Sequence, residues 1–122
     1  MCVFCDKIKN NEVIKLTDEW MCIEDAYPVS PGHMLIIPKK HVASIDSISL
    51  TEWQSLYQSI KQCKAIINEK YNPDGFNIGI NQGEAAGQTI NHLHVHIIPR
   101  YKGDMDNPRG GVRGVIPDKQ KY

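Results

Sequence analysis

His92-Leu93-His94-Val95-His96-Ile97-Ile98-Pro99 is the stretch on which the reading of this chain turns. Read as a strand, its side chains alternate between two faces. Leu93, Val95 and Ile97 then share an apolar face, and His92, His94 and His96 share the other at intervals of about 6.6 Å. The apolar set is ordinary core. Three imidazoles in register are not: imidazole titrates near neutrality, needs a partner when buried, and serves as nucleophile, acid, base or metal ligand. A single metal ion held by all three is disfavoured, because positions i, i+2 and i+4 span about 13 Å of strand unless a bulge intervenes.

Immediately upstream lies Asn81-Gln82-Gly83-Glu84-Ala85-Ala86-Gly87-Gln88-Thr89. Gly83 and Gly87 let the backbone turn and come close to a ligand, and N–H groups in such a loop form an anion-binding concavity. The Gln88 amide and the Thr89 hydroxyl add neutral donors. Further back, Phe76 to Ile80 alternates as a strand. Ser49-x-x-Glu52 is a capping box opening a helix, along which Trp53, Leu56, Ile60, Cys63 and Ile67 make one apolar stripe. Asn72-Pro73-Asp74-Gly75 ends that helix near Tyr71. His33 to Pro38 is a strand apolar on both faces, hence central in a sheet. Val13 to Leu16 and Trp20 to Glu24 are two short strands about a turn at Thr17-Asp18-Glu19, and the prolines and glycine of Asp25 to Gly32 mark a loop.

The 122 residues suit one domain, 1–122, with an irregular Gly-, Pro- and charge-rich tail over about 100–122. Lys+Arg and Asp+Glu number 14 each, so no overall field steers the chain to a nucleic acid polymer or a membrane surface. No apolar run is long enough to span a bilayer, and Asp6, Lys7 and Lys9 near the start do not make a signal peptide, so a cytoplasmic protein is expected. After Ile98 six basic residues face three acidic ones, a balance that suits a phosphate-rich ligand. Four cysteines in such a chain read as thiols or metal ligands rather than disulfides. Cys2-x-x-Cys5 is either half a zinc site or a redox pair, and the redox reading lacks the strand it needs before Cys2. Cys22 and Cys63 fall on apolar positions and read as structural.

His92-Leu93-His94-Val95-His96-Ile97-Ile98 resembles the signature of the histidine-triad family, in which three histidines alternate with apolar residues. Pro31-Gly32-His33-Met34-Leu35-Ile36-Ile37-Pro38-Lys39-Lys40-His41 and Gly87-Gln88-Thr89 resemble two further blocks of that family. The resemblance implies an α+β fold: a five-stranded antiparallel sheet with one long helix and a short N-terminal helix, paired in a homodimer into a ten-stranded sheet. It implies an enzyme that hydrolyses or transfers nucleoside monophosphates through a covalent nucleotidyl-histidine. On that resemblance His94 is the nucleophile, His96 contacts the phosphate or leaving group, and His33 and His92 line the site. Gly87, Gln88 and Thr89 hold phosphate oxygens, Asp25 binds the ribose hydroxyls, and Asn81 is a site-lining amide.

The zinc-bearing members, and the related hexose-phosphate uridylyltransferases, resemble this chain in a Cys2, Cys5, His41, His92 set. With four protein ligands such a zinc is structural, and the implied mechanism requires no catalytic metal. The expected substrate is a purine nucleotide of AMP type. Glu84 to Thr89 resembles the dinucleoside-polyphosphate hydrolases, and a tail carrying Arg109 and Arg113 would reach additional phosphates. Asn81 instead resembles the phosphoramidase branch. A nucleotidyltransferase and a nucleotide-binding adaptor with little turnover are the other classes that the same residues serve.

Overall fold

The computed structural model describes residues 2–122. Its elements are α1 (Val3–Lys9), β1 (Ile14–Lys15), β2 (Trp20–Glu24), β3 (Met34–Pro38), α2 (Leu50–Tyr71), β4 (Gly75–Gly79) and β5 (Val95–Arg100), with short 3-10 turns in the connections. The five strands form one sheet in the order β1-β2-β3-β5-β4, and every neighbouring pair is antiparallel. An α+β fold of two helices and a five-stranded antiparallel sheet, as expected from the sequence, is what the chain adopts.

β3 lies at the centre because it is apolar on both faces: all five of its residues are buried. Met34 and Ile36 join Trp20, Cys22, Val95 and Ile97 beneath α2, while Leu35 and Ile37 join Met21, Ile23 and Phe4 on the opposite face. Cys22 and Cys63 are buried free thiols in the first of these clusters, as expected of structural cysteines.

α2 begins and ends where its local chemistry requires. Ser49 Oγ accepts from the Glu52 amide at 3.1 Å, and Glu52 Oε1 accepts from the Ser49 amide at 2.7 Å, which completes the capping box. Asn72 closes the helix in the left-handed conformation, φ 52°. The buried stripe is Leu56, Ser59, Cys63 and Ile67, and Trp20 Nε1 reaches the Glu52 carbonyl at 2.9 Å to fix the helix over the sheet. Trp53, expected in the stripe, is 49% exposed. It lies on the flank of the helix with Leu50 and Tyr57 instead, and Ser59 takes a buried place through its bond to Thr17 Oγ1.

The strand boundaries shift by a residue or so from expectation, except in one place that matters. The histidine stretch is not strand throughout: β5 starts only at Val95. Leu93 N–H bonds to the Val42 carbonyl at 2.6 Å, and the His92 carbonyl faces the His94 ring at 2.9 Å. Their backbone groups are thus satisfied outside the sheet ladder. The flat row of three imidazoles predicted from strand geometry is therefore bent at its first member.

The tail is more ordered than its composition indicates. Residues Gly111–Val115 and Pro117–Lys119 form consecutive 3-10 turns. The Arg109 and Arg113 guanidinium groups lie over the Tyr122 ring, at 5.1 and 4.7 Å from its centroid. Arg113 also donates to the Lys119 and Gln120 carbonyls. These cations are engaged within the tail rather than extended toward the histidines.

Candidate functional site

The histidines fall into two groups divided by Phe4. Its ring, carried between Cys2 and Cys5 on α1 and only 3% exposed, meets His92 edge-on at 5.6 Å and His94 at 5.3 Å. On one side of Phe4 stand His92, His41 and the two cysteines. On the other stand His94, His96, His33 and Asp25.

In the first group four donor atoms converge. Cys2 Sγ is 3.4 Å from His92 Nδ1, Cys5 Sγ is 3.3 Å from His41 Nδ1 and 3.5 Å from His92 Nδ1, and the two Nδ1 atoms are 3.1 Å apart. Bond lengths of about 2.3 Å to sulfur and about 2.0 Å to nitrogen place tetrahedral donors roughly 3.3–3.6 Å apart, so the spacing fits one metal ion. The tautomer fits as well. His92 Nε2–H donates to the buried Pro38 carbonyl at 3.0 Å, which keeps the proton off Nδ1 and leaves its lone pair aimed at the cluster. Burial pushes the His92 imidazole below its usual value, so it is held neutral, as a metal ligand must be.

The second group also brings a carboxylate and two imidazoles together, yet its hydrogen bonds argue against a metal. The Val29 backbone amide donates to His33 Nδ1 at 3.0 Å, so the proton of neutral His33 lies on Nε2. That Nε2–H faces His96 Nδ1 at 3.0 Å and Asp25 Oδ2 at 3.4 Å. A metal there would have to strip His33 of its only proton. With His33 as donor, His96 Nδ1 is the acceptor, and the His96 proton is placed on Nε2. His94 has the opposite assignment: its Nδ1–H donates to the His92 carbonyl at 2.9 Å, leaving a bare lone pair on Nε2. Two neighbouring imidazoles, 5.3 Å between centroids, are thus set as one donor and one base, His94 directly by the His92 carbonyl and His96 through His33 from the Val29 amide. Burial holds both His33 and His96 below the usual imidazole value, reinforced at His96 by His94 and His33 and opposed at both by Asp25.

These side chains open on a cleft. His33, His94, His96, Asp25, Asn81, Gly87 and Thr89, all singled out in the sequence, line it together. Apolar Phe4, Ile23, Leu35 and Ile90 line it too, as a flat hydrophobic ring would require. Asp25 is fixed at its mouth by the Tyr27 amide, which donates to Oδ1 at 2.8 Å. Gly83 and Gly87 have φ of +92° and +87°, so the loop takes a path that only glycine follows without strain. Two expected members stand apart. His92 faces the cysteines, and the Gln88 side chain is turned onto backbone. Phe4, the Val29 amide and the Pro38 carbonyl were not legible as site groups, since none carries a motif of its own.

A triad of this geometry beside a Cys2His2 cluster agrees with a family-level match: the HIT domain model covers residues 7–103. The chain belongs to the HIT domain family. Among HIT proteins it is 35% identical over 100 residues to the bis(5'-adenosyl)-triphosphatase of Dictyostelium discoideum, spanning 82% of this chain and 67% of that one. It is 40% identical over 124 aligned positions to an uncharacterized HIT-like protein of Methanocaldococcus jannaschii, covering 98% of this chain and 95% of that protein. Among solved structures, a Zn-bound histidine triad family protein from Mycobacterium smegmatis superposes with a TM-score of 0.75 at 32% identity, over 84% of this chain and 77% of that one. Among the described residues, no helix is long and apolar enough to cross a membrane.

Proposed function

We propose that this HIT protein is a nucleotide hydrolase that cleaves a phosphoanhydride or phosphoramidate bond and releases a nucleoside monophosphate, with dinucleoside polyphosphates as the preferred class. The observation that carries the reading is the opposed tautomers of His94 and His96 at the mouth of one cleft. His94 Nε2, with its lone pair bare, attacks the α-phosphorus, and the bond to the leaving group breaks as the N–P bond forms. The His92 carbonyl holds the Nδ1 proton and stabilises the positive charge that the ring acquires. His96 Nε2–H donates to the departing oxygen or nitrogen. Water then attacks the nucleotidyl-His94, its proton passing to solvent, and the N–P bond breaks with its electron pair returning to Nε2. His96 keeps its proton and acts throughout as a hydrogen-bond donor. Backbone N–H groups around Gly87 and the Thr89 hydroxyl meet the phosphate oxygens, and Asp25 accepts from the ribose hydroxyls. Asn81 lines the wall beside the reacting phosphorus.

The similarity to a bis(5'-adenosyl)-triphosphatase supports an adenosine dinucleotide over other phosphate esters. The metal of the Cys2, Cys5, His41, His92 cluster is zinc on this reading, as the Cys2His2 donor set and the Zn-bound relative favour. Such an ion, with all four positions taken by protein, contributes folding free energy. The exposed Leu50, Trp53 and Tyr57 on one flank of α2, with Ile78 on the edge strand β4, form the surface by which two copies would pair into a homodimer.

Rapid-quench turnover of a dinucleoside triphosphate labelled at the α-phosphate tests the mechanism. Wild type should accumulate acid-labile, base-stable label on His94, and His94→Ala should bind AMP yet release none from substrate. Label on His96, or near-normal turnover by His94→Ala, would overturn the assignment.

A further inference from the structure

Gln88 sits between two residues that face the cleft, Gly87 and Thr89, yet it is not part of the cleft wall. Its amide is fully committed elsewhere. Oε1 accepts from the Gly83 amide at 2.9 Å, and Nε2 donates to the Ala43 carbonyl at 3.0 Å and the Ile90 carbonyl at 3.2 Å. Both amide hydrogens are therefore used, and neither is free for a phosphate oxygen. The three partners lie at the start of the loop, at its end, and on the connection that follows β3. Gln88 thus ties the two ends of the 83–90 loop to each other and to residue 43.

The same connection makes two more such bonds. Asp46 Oδ2 accepts from Gln82 Nε2 at 3.0 Å, and the Val42 carbonyl accepts from the Leu93 amide at 2.6 Å. Residues 42–46 form a rack on which the loop is mounted through Gln82 and Gln88 and the histidine stretch through Leu93. His41, at the head of the rack, belongs to the metal cluster. The loop closes its own turn through the Ala86 and Gln88 amides on the Gly83 carbonyl and the Gly87 amide on the Glu84 carbonyl. The Gln82 and Gln88 ties are what seat that turn, with its glycines at φ near +90°, against the rack.

We propose that Gln88 is a positioning residue: it shapes the Gly83–Thr89 loop against the rack so that the loop N–H groups converge on the phosphate, and it makes no bond to the substrate itself. This deepens the nucleotide-hydrolase reading and rests on it. The two roles for Gln88 make different predictions. A direct phosphate ligand would act alone and leave the free loop as it was. A positioning strut acts through loop shape, which is measurable with no ligand present, and shares its effect with the remote Asp46.

The test compares Gln88→Met, which keeps bulk and loses all three bonds, with Asp46→Ala, Asp46→Asn and the double variant Gln88→Met/Asp46→Ala, each with its metal in place. Amide hydrogen exchange of residues 83–89 in the unliganded protein should speed up about tenfold in Gln88→Met and a few-fold in Asp46→Ala. Asp46→Asn keeps an oxygen acceptor and should behave as wild type. With a dinucleoside triphosphate, KM should rise about tenfold in Gln88→Met while kcat falls less, and the Asp46→Ala effect should be smaller in the Gln88→Met background than alone. Unchanged loop exchange in Gln88→Met, or an Asp46→Ala effect that is nil or simply additive, would overturn the inference. Failure of wild type to bind or cleave the nucleotide would instead count against the hydrolase reading, since the exchange measurement needs no substrate.

Discussion

His92→Ala tests the division of labour in the triad. The ring of His92 is completely buried, but the group it offers to His94 is its backbone carbonyl, which the substitution keeps. What is lost is the Nε2–H bond to Pro38 and one donor of the metal cluster. An orphaned buried carbonyl costs about 1–3 kcal/mol. The void left by an imidazole against Phe4 and His41 adds about 1–2 kcal/mol. A central figure of about 3 kcal/mol corresponds, in a chain of this size, to a fall of roughly 10–15 °C in Tm before any loss of metal binding is counted. The assay is thermal unfolding with metal stoichiometry alongside, followed by turnover per folded molecule at 15 °C. The expected result is a large Tm loss, less than one metal per chain, and turnover well above that of His94→Ala. A Tm within 2 °C of wild type together with turnover as low as His94→Ala would refute the reasoning, because His92 would then act in the chemistry rather than under it.

Asp25→Ala should weaken ribonucleotides selectively and bring their KM close to that of the 2'-deoxy analogues; an unchanged ratio would place the sugar elsewhere. Stability should fall as the pH drops below about 6.5. His33 and His96 have folded values below the unfolded imidazole value, so the unfolded chain binds more protons and the stabilisation, complete above that pH, is lost on acidification. A Tm at pH 5 equal to that at pH 7.5 would contradict this. Trp53→Asp, on the exposed flank of α2, should shift the sedimenting mass from two chains to one without lowering monomer helicity.

Much of the fold was legible because its signals are local and periodic. β2 and the ends of α2 fall where the apolar run after the Thr17-Asp18-Glu19 turn, the Ser49–Glu52 box and Asn72 place them, and β3 is central because both its faces are apolar. His92 was legible as a partner for Cys2, Cys5 and His41 and not as a bend. Strand periodicity describes side chains, whereas the bend is fixed by the partners that Leu93 and His92 find in Val42 and Pro38, about fifty residues away. Gln88 shows the same limit: composition says that an amide is present, and only the folded chain says which carbonyls occupy it. The tail was read as irregular because Gly and Pro are poor helix formers, and its closure by Arg113 and Tyr122 depends on contacts that such a scale does not contain.

The bond from the Val29 amide to His33 has a consequence for how such a centre drifts over time. The side chain of Val29 is 72% exposed and the bond to His33 comes from its backbone amide, so that bond does not depend on which of nineteen residues stands at position 29. The proton arrangement of His33 and His96 would survive every one of those changes, because the instruction is given by a peptide N–H that all of them share. Only proline lacks it. Side-chain scanning would pass over the position as silent, although removal of one backbone hydrogen there, by proline or by an amide-to-ester exchange, would turn His96 from a donor into an acceptor.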